Sequence, residues 1–310
     1  MPAIHSETFR VRYYECDAYG HLNNTNYLRW MQEAAFAASS AVGYDLARYD
    51  EIGHLWLVRE TDIEYLAPLA YGDEVQVKTW VMDFRRFLSR RAYEFTLTRT
   101  GKIVARASTD WAYVKAETLR PAVIPAAMRQ AFFPEGAPAE AARRERFPQP
   151  PPPPEDVFSI RKRVEWRDID SLWHVNNAMY LAYIEDAGIQ VCDAHGWSMQ
   201  RMKEAGFGIL ARRHLIEYRQ PAQMGDELDV STWFSEAQRS TAFRHYAIRR
   251  VCDRELLLRA RTLYVWFDVN TGRPIRIPQR FLAEFADNMT PSAPSHLPHI
   301  KKQRADLGEA

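Results

Sequence analysis

The 310-residue chain has a formal net charge of +1, with 46% hydrophobic and 26% charged residues, which is the composition of an ordinary globular protein. So small a net charge argues against a nucleic-acid or anionic-membrane surface set by global electrostatics. The sequence opens on a polar stretch without a secretory pattern, has no apolar run near the roughly 18 residues of a transmembrane helix, and pairs none of Cys16, Cys192 and Cys252 at short spacing; a reducing, cytoplasmic setting is expected.

In chain order, residues 9–13 alternate like a strand and 17–23 form a polar loop. From Asn24, Leu28, Met31, Ala34, Ala35, Ala38 and Val42 recur at helical spacing; Asn24 is suited to cap this helix and Gly43 to stop it. Four strands are then predicted over 56–66, 75–84, 90–98 and 103–114, with turns at Gly72-Asp73 and Gly101-Lys102. Residues 134–156 read as a linker stiffened by the Pro150–Pro154 run. Beyond it the series returns: a loop from Asp170, a helix from Asn177 to near Gly196, and strands over 214–218, 228–234, 243–251 and 257–267. Residues 289–310 read as a mobile tail.

The return keeps its register. Asp17, His21, Asn23, Asn24 and Tyr27 fall on Asp170, His174, Asn176, Asn177 and Tyr180 at a constant offset of 153 residues. Pro68, Gly72, Asp73 and Trp80 likewise fall on Pro221, Gly225, Asp226 and Trp233. Two copies of one α+β domain follow, at residues 1–133 and 157–288, each with one principal helix to cover a mostly antiparallel sheet.

This order resembles the hotdog fold, in which a long helix lies across a curled sheet and two units pair with their sites near the interface. The resemblance implies tandem hotdog domains forming an intramolecular pseudo-dimer, and leaves further association as a homo-oligomer open. The segments Asp17-x-x-Gly20-His21-Leu22-Asn23-Asn24-x-x-Tyr27 and Asp170-x-x-x-His174-Val175-Asn176-Asn177-x-x-Tyr180 are similar to the active-site segment of hotdog acyl thioesterases of the 4-hydroxybenzoyl-CoA thioesterase group. That resemblance implies hydrolysis of an acyl-CoA thioester to a carboxylic acid and coenzyme A, with Asp17 and Asp170 as catalytic carboxylates. Each acts either as nucleophile or as the base that activates water, while the helix start polarises the carbonyl.

The residues themselves leave alternatives open. An aspartate in a turn also serves as a structural acceptor of amide bonds. His21 and His174 fit either a supporting catalytic role or a loop-locking hydrogen bond. Gly20, Asn23, Asn24, Tyr27, Trp173, Asn176, Asn177 and Tyr180 are candidates to contact substrate, although Tyr27 and Tyr180 also suit a core. Trp173 in place of Gly20 would narrow the second site or line its acyl channel. Arg85, Arg86, Arg239 and Arg244 are candidates for the phosphates of coenzyme A, with solvated sheet edges as the other reading. The pairing of Asp17 with His21 offers too few ligands for a metal, and no cofactor is expected apart from the coenzyme A of the substrate. Rival readings are an acyl-carrier-protein thioesterase, weakened by Leu172 where that group carries asparagine, a hotdog hydratase or dehydratase, and a noncatalytic acyl-binding protein.

Overall fold

The apolar stripe beginning at Leu28 builds α1 (Asn24–Ala41), whose buried face includes Tyr27, Leu28, Met31, Ala34, Ala35 and Ala38. In the computed structural model, which describes residues 1–136 and 142–290, this helix lies on a five-stranded sheet. The sheet comprises β1 (Ile4–Arg10), β2 (His54–Tyr65), β3 (Glu74–Phe84), β4 (Leu88–Leu97) and β5 (Lys102–Lys115), in the order β1-β3-β4-β5-β2. Short helices α2 (Leu46–Glu51) and α3 (Ala126–Phe132) complete the first domain.

The second domain repeats the design with β6 (Phe158–Arg163), α4 (Asn177–Ala194), α5 (Met199–Glu204), β7 (Phe207–Tyr218), β8 (Glu227–Ser235), β9 (Thr241–Arg250), β10 (Leu256–Asp268) and α6 (Gln279–Glu284). Both halves are hotdog units. β2 pairs antiparallel with β7, from Glu60↔Glu217 to Glu64↔Arg213, so the two sheets become one of ten strands. α1 packs on α4, and one hydrophobic cluster runs from Tyr27 and Met31 to Leu181 and Ile184. The expected intramolecular pseudo-dimer is the observed architecture.

Strand β7 begins seven residues before the predicted 214–218 segment, at Phe207. Arg212 and Arg213 hid this stretch from a hydrophobic pattern; in the fold they cross the seam to Glu64 and Asp62, at 3.1 Å and, from Arg213 Nε, 2.7 Å. Tyr13, expected in the first strand, lies in a short 3₁₀ turn after β1 has ended at Arg10.

The linker is more than a spacer. A β-bulge between Val81 and Asp83 shifts the register, so that Asp83 pairs with Arg90 and Arg90 with Asp110 across neighbouring strands. Arg144 of the linker donates to both Asp83 oxygens at 2.6 Å and to Asp110 at 3.2 Å. Phe147 is buried beneath Arg259 of the second domain, whose Cζ lies 4.6 Å from the ring centre. The first two residues of the expected tail, Met289 and Thr290, are also docked, with Thr290 N donating to Phe234 O at 2.9 Å. The remainder of that tail, 291–310, lies outside the described residues, as do linker residues 137–141.

Candidate active site at the domain seam

The loop before α1 is closed by its own backbone. Asp17 N donates to His21 O at 2.7 Å, and Gly20 N returns to Asp17 O at 2.9 Å. Asp17 Oδ1 accepts from the amides of Tyr19 and His21, at 2.8 and 3.1 Å. The carboxylate thus holds an Asx turn rather than bonding to the helix start. Capping falls to Asn23, one residue earlier than the predicted Asn24: its Oδ1 accepts from Thr25 N at 2.9 Å, and α1 begins at Asn24. The Asn24 amide has no acceptor among the described residues.

The acid that meets this helix start comes from the other domain. Glu185 of α4 accepts from Asn24 Nδ2 at 2.8 Å and from Asn23 Nδ2 at 3.3 Å. Burial pushes its carboxyl up to about 7; the two asparagines oppose the rise, and the charges of Asp17 and Asp186 add to it. Sequence reasoning missed Glu185. Its repeat counterpart is Gln32, a neutral amide whose Oε1 accepts from Asn176 Nδ2 at 3.0 Å. Applying the 153-residue offset along the helices would have exposed this difference, but only helix packing reveals that each side chain serves the opposite domain's loop.

Asp17, Asn23, Asn24 and Glu185 together line a cavity of about 280 Å³. It continues into the second domain between Trp197, Met199, Met202, Ile209 and Phe234. A related cavity of about 160 Å³ joins Asp170 and Leu172 to Gln32, Trp56 and Arg91. His174, Asn177 and Tyr180 line a depression of about 120 Å³ beside it. Each catalytic-type loop therefore faces the interior of the opposite domain. Asp170 Oδ1 accepts from Leu172 N at 2.9 Å, and burial raises its pKa against the opposing influence of that bond.

Several expected contacts fall elsewhere. Trp173 is 68% exposed and meets Trp166 edge-on at 6.1 Å, so it neither blocks nor lines the second cavity. Its φ of 61° follows the 76° of Gly20, a left-handed backbone that strains a bulky residue by about 1–3 kcal/mol. Tyr27 is 2% exposed among Trp30, Tyr65 and Phe95, a core position. The buried Tyr180 hydroxyl accepts from Ala222 N at 2.8 Å, fixing the loop. His21 and His174 are half-buried and form backbone bridges to Ala70 and Gln223. Asn176 caps α4, as Asn23 caps α1. Arg85, Arg86 and Arg239 are exposed on the β3–β4 and β8–β9 hairpins. Arg244 is 2% exposed and sits in the cavity wall, where burial separates it from any surface phosphate. No group of three or more acidic, histidine or cysteine side chains suited to a metal occurs among the described residues.

A sequence profile of the thioesterase-like superfamily matches residues 11–132 and again 164–285. The chain belongs to that superfamily, in two copies. Among curated relatives of this tandem thioesterase-like chain is an acyl-[acyl-carrier-protein] hydrolase, FATB2, of Cuphea viscosissima, 27% identical over 192 residues; the match covers 58% of this chain and 46% of the relative. The chain thus spans about half the length of that plant protein. The acyl-CoA thioester hydrolase YbgC of Escherichia coli O6:H1 is 29% identical over 131 residues, 42% of this chain and 96% of the relative. Among solved structures, the 12:0-ACP thioesterase of Umbellularia californica superposes with a TM-score of 0.70 at 20% identity, covering 88% of this chain and 94% of its own. An acyl-ACP thioesterase of Bacteroides thetaiotaomicron gives 0.65 at 20% identity, covering 84% and 98%. These two likenesses establish the shared tandem architecture. No helix among the described residues is long and apolar enough to cross a membrane.

Proposed function

We propose that the chain hydrolyses acyl thioesters, with the cavity between Asp17 and Glu185 as the principal site. The observation that carries this reading is that two carboxylates and a helix-start residue whose amide has no acceptor among the described residues line one largely apolar cavity. A thioester carbonyl over Asn24 N would develop its oxyanion at a donor already in position, within the positive end of the helix dipole. Glu185, with a pKa of about 7, is suited to accept a proton from water as the water oxygen bonds to the carbonyl carbon. The tetrahedral adduct then collapses, the C–S bond breaks, and the departing thiolate takes that proton. Direct attack by Asp17, followed by hydrolysis of the resulting anhydride, uses the same site. Neither route calls for a metal or redox cofactor.

Coenzyme A is the proposed carrier, supported by the match to nearly the whole length of a bacterial acyl-CoA hydrolase. The exposed Arg85, Arg86 and Arg239 would meet its phosphates. Acyl-carrier protein is the second reading, favoured by a tandem architecture shared with solved acyl-ACP thioesterases. The second cavity, with Gln32 in place of Glu185, is assigned a lesser catalytic role. A reducing cytoplasm is the proposed setting, consistent with three free cysteines. The test is release of free thiol from one acyl group presented on each carrier. Faster turnover on coenzyme A supports the first reading, selective turnover on carrier protein supports the second, and alkene hydration without thiol release, or binding without either, rejects both.

A further inference from the structure

The proposed reaction between Asp17 and Glu185 makes no use of Arg244, which β9 contributes to the same cavity. Its guanidinium carbon lies 3.7 Å from the centre of the Phe234 ring and 5.9 Å from that of Tyr264. Phe234 packs close against the guanidinium, and an aromatic ring meets none of its N–H donors as a hydrogen-bond acceptor would. Among the described residues Nη2 has only the Cys192 sulfur, at 3.9 Å, and the buried Nη1 has no acceptor. Phe234, Tyr264 and Cys192 all line the cavity with it.

Other enclosed arginines of this protein are matched differently. Arg144 engages the carboxylates of Asp83 and Asp110, and Arg259 that of Glu217. Arg91, the repeat counterpart of Arg244, gives Nη1 to Thr79 Oγ1 at 3.3 Å. The equivalent Thr232 hydroxyl donates to His245 O, and no bond joins it to Arg244. A buried cation with unmet donors is costly to the empty protein, and an anionic ligand that supplies acceptors recovers that cost.

The helix gives the scale. Glu185, Gly188, Ile189 and Cys192 line the cavity along one face of α4, and at 1.5 Å per residue Glu185 and Cys192 are separated by about 10 Å along the axis. An acyl group of medium length bridges that separation. Building on the thioesterase reading, we propose that the preferred substrate at the first site carries a carboxylate at the acyl end remote from the thioester, and that Arg244 binds it. The substrate class is the half-thioester of a dicarboxylic acid. Apolar side chains including Trp197 and Met202 enclose its methylenes, and Arg244 discriminates against chains ending in methyl because they leave its donors unmet.

The test compares hydrolysis of coenzyme A thioesters matched in length and ending in methyl, hydroxyl or carboxylate, using the full chain and Arg244→Met, with Arg244→Lys retaining the charge. The expected result is a kcat/KM about tenfold or more higher for the carboxylate-ended substrate, lost in Arg244→Met and partly kept in Arg244→Lys. Equal turnover of the three substrates by the unmodified protein overturns the proposal while leaving the thioesterase reading intact, as does preference for the hydroxyl end. An equal loss on all substrates in Arg244→Met also overturns it, by assigning the arginine to packing. Should no thioester be hydrolysed, thermal shift with free dicarboxylates of graded length decides separately: saturable stabilisation of the unmodified protein, absent in Arg244→Met, supports the site, and its absence overturns it.

Discussion

Replacing Glu185 with glutamine gives the first site the amide already present at Gln32. The substitution keeps the shape and one acceptor oxygen for Asn24, but removes the charge. Raising the carboxyl from its ordinary 4.5 to about 7 corresponds to a penalty on the ionised form on the order of 3 kcal/mol. Between those pH values the folded protein binds more protons than the unfolded chain, so this group erodes stability as pH rises from about 4.5 to 7 and adds no further loss above. The asparagine hydrogen bonds to the ionised form are already contained in that pKa, and only pH-independent changes in packing cancel in the comparison between pH values. Glu185→Gln should therefore gain on the unmodified protein by up to about 3 kcal/mol on going from pH 4.5 to pH 8, measured by urea unfolding at both. At pH 8 its thioester hydrolysis should be about 10²–10⁴-fold slower than that of the unmodified protein, and the inflection near pH 7 in the pH–rate profile should disappear. A stability difference unchanged with pH would refute the burial argument, and an activity within about threefold of the unmodified protein, with the inflection retained, would refute the assignment as base.

The asymmetry between the sites predicts that Asp17→Asn lowers kcat by about 10²-fold or more while Asp170→Asn costs less than about tenfold, measured on one acyl-CoA substrate. Gly188→Ala would set a methyl 2.9 Å from the Tyr246 hydroxyl, which is already bonded to Tyr264. Overpacking of about 1–3 kcal/mol should outweigh the helix gain of roughly 1 kcal/mol, lowering the melting temperature and slowing longer acyl chains more than short ones. Arg144→Ala should cost about 3 kcal/mol at pH 7, because the buried Asp83 loses both short guanidinium bonds and keeps the Ala142 amide and Arg85 at 3.8 Å, whereas Asp110 keeps Arg90. Burial pushes Asp83 up, but the bonds and charge of Arg144 outweigh it and hold the pKa below 3.8; the stabilisation is present above 3.8 and lost as pH falls through the lower folded value. Chemical denaturation at pH 7 and pH 3 checks that the cost shrinks in acid.

Much of the fold was legible because its signals are local and occur twice. The stripe from Leu28 to Ala38 specifies a helix with one buried face, Gly43 ends it at a φ of 84°, and the apolar alternation of Val75, Val77 and Val81 specifies a strand. Residues 207–213 were obscured because their arginines are matched by acids 148 to 151 residues away, a pairing that no periodicity records. The linker's docking was hidden for the same reason, since Arg144 draws its partners from two different strands.

The loop from Asp17 to Asn24 was marked by the sequence as a place for chemistry, and its fold confirms an Asx turn leading into a capped helix. Which groups share that place was a tertiary decision. Tyr27 and Tyr180 turned inward because their rings gain more from the core than from a wet cleft, and Trp173 turned outward because its left-handed backbone directs it to the surface. Glu185 and Arg244 enter the first cavity from a domain whose own repeated motif lies at the other cavity. The sequence by itself determined two copies of one unit, since hydrophobic periodicity and turn chemistry act over a few residues. Only the antiparallel joining of β2 to β7 and the packing of α1 on α4 decided that each loop would be completed by the opposite half, because that contact depends on how finished surfaces fit together.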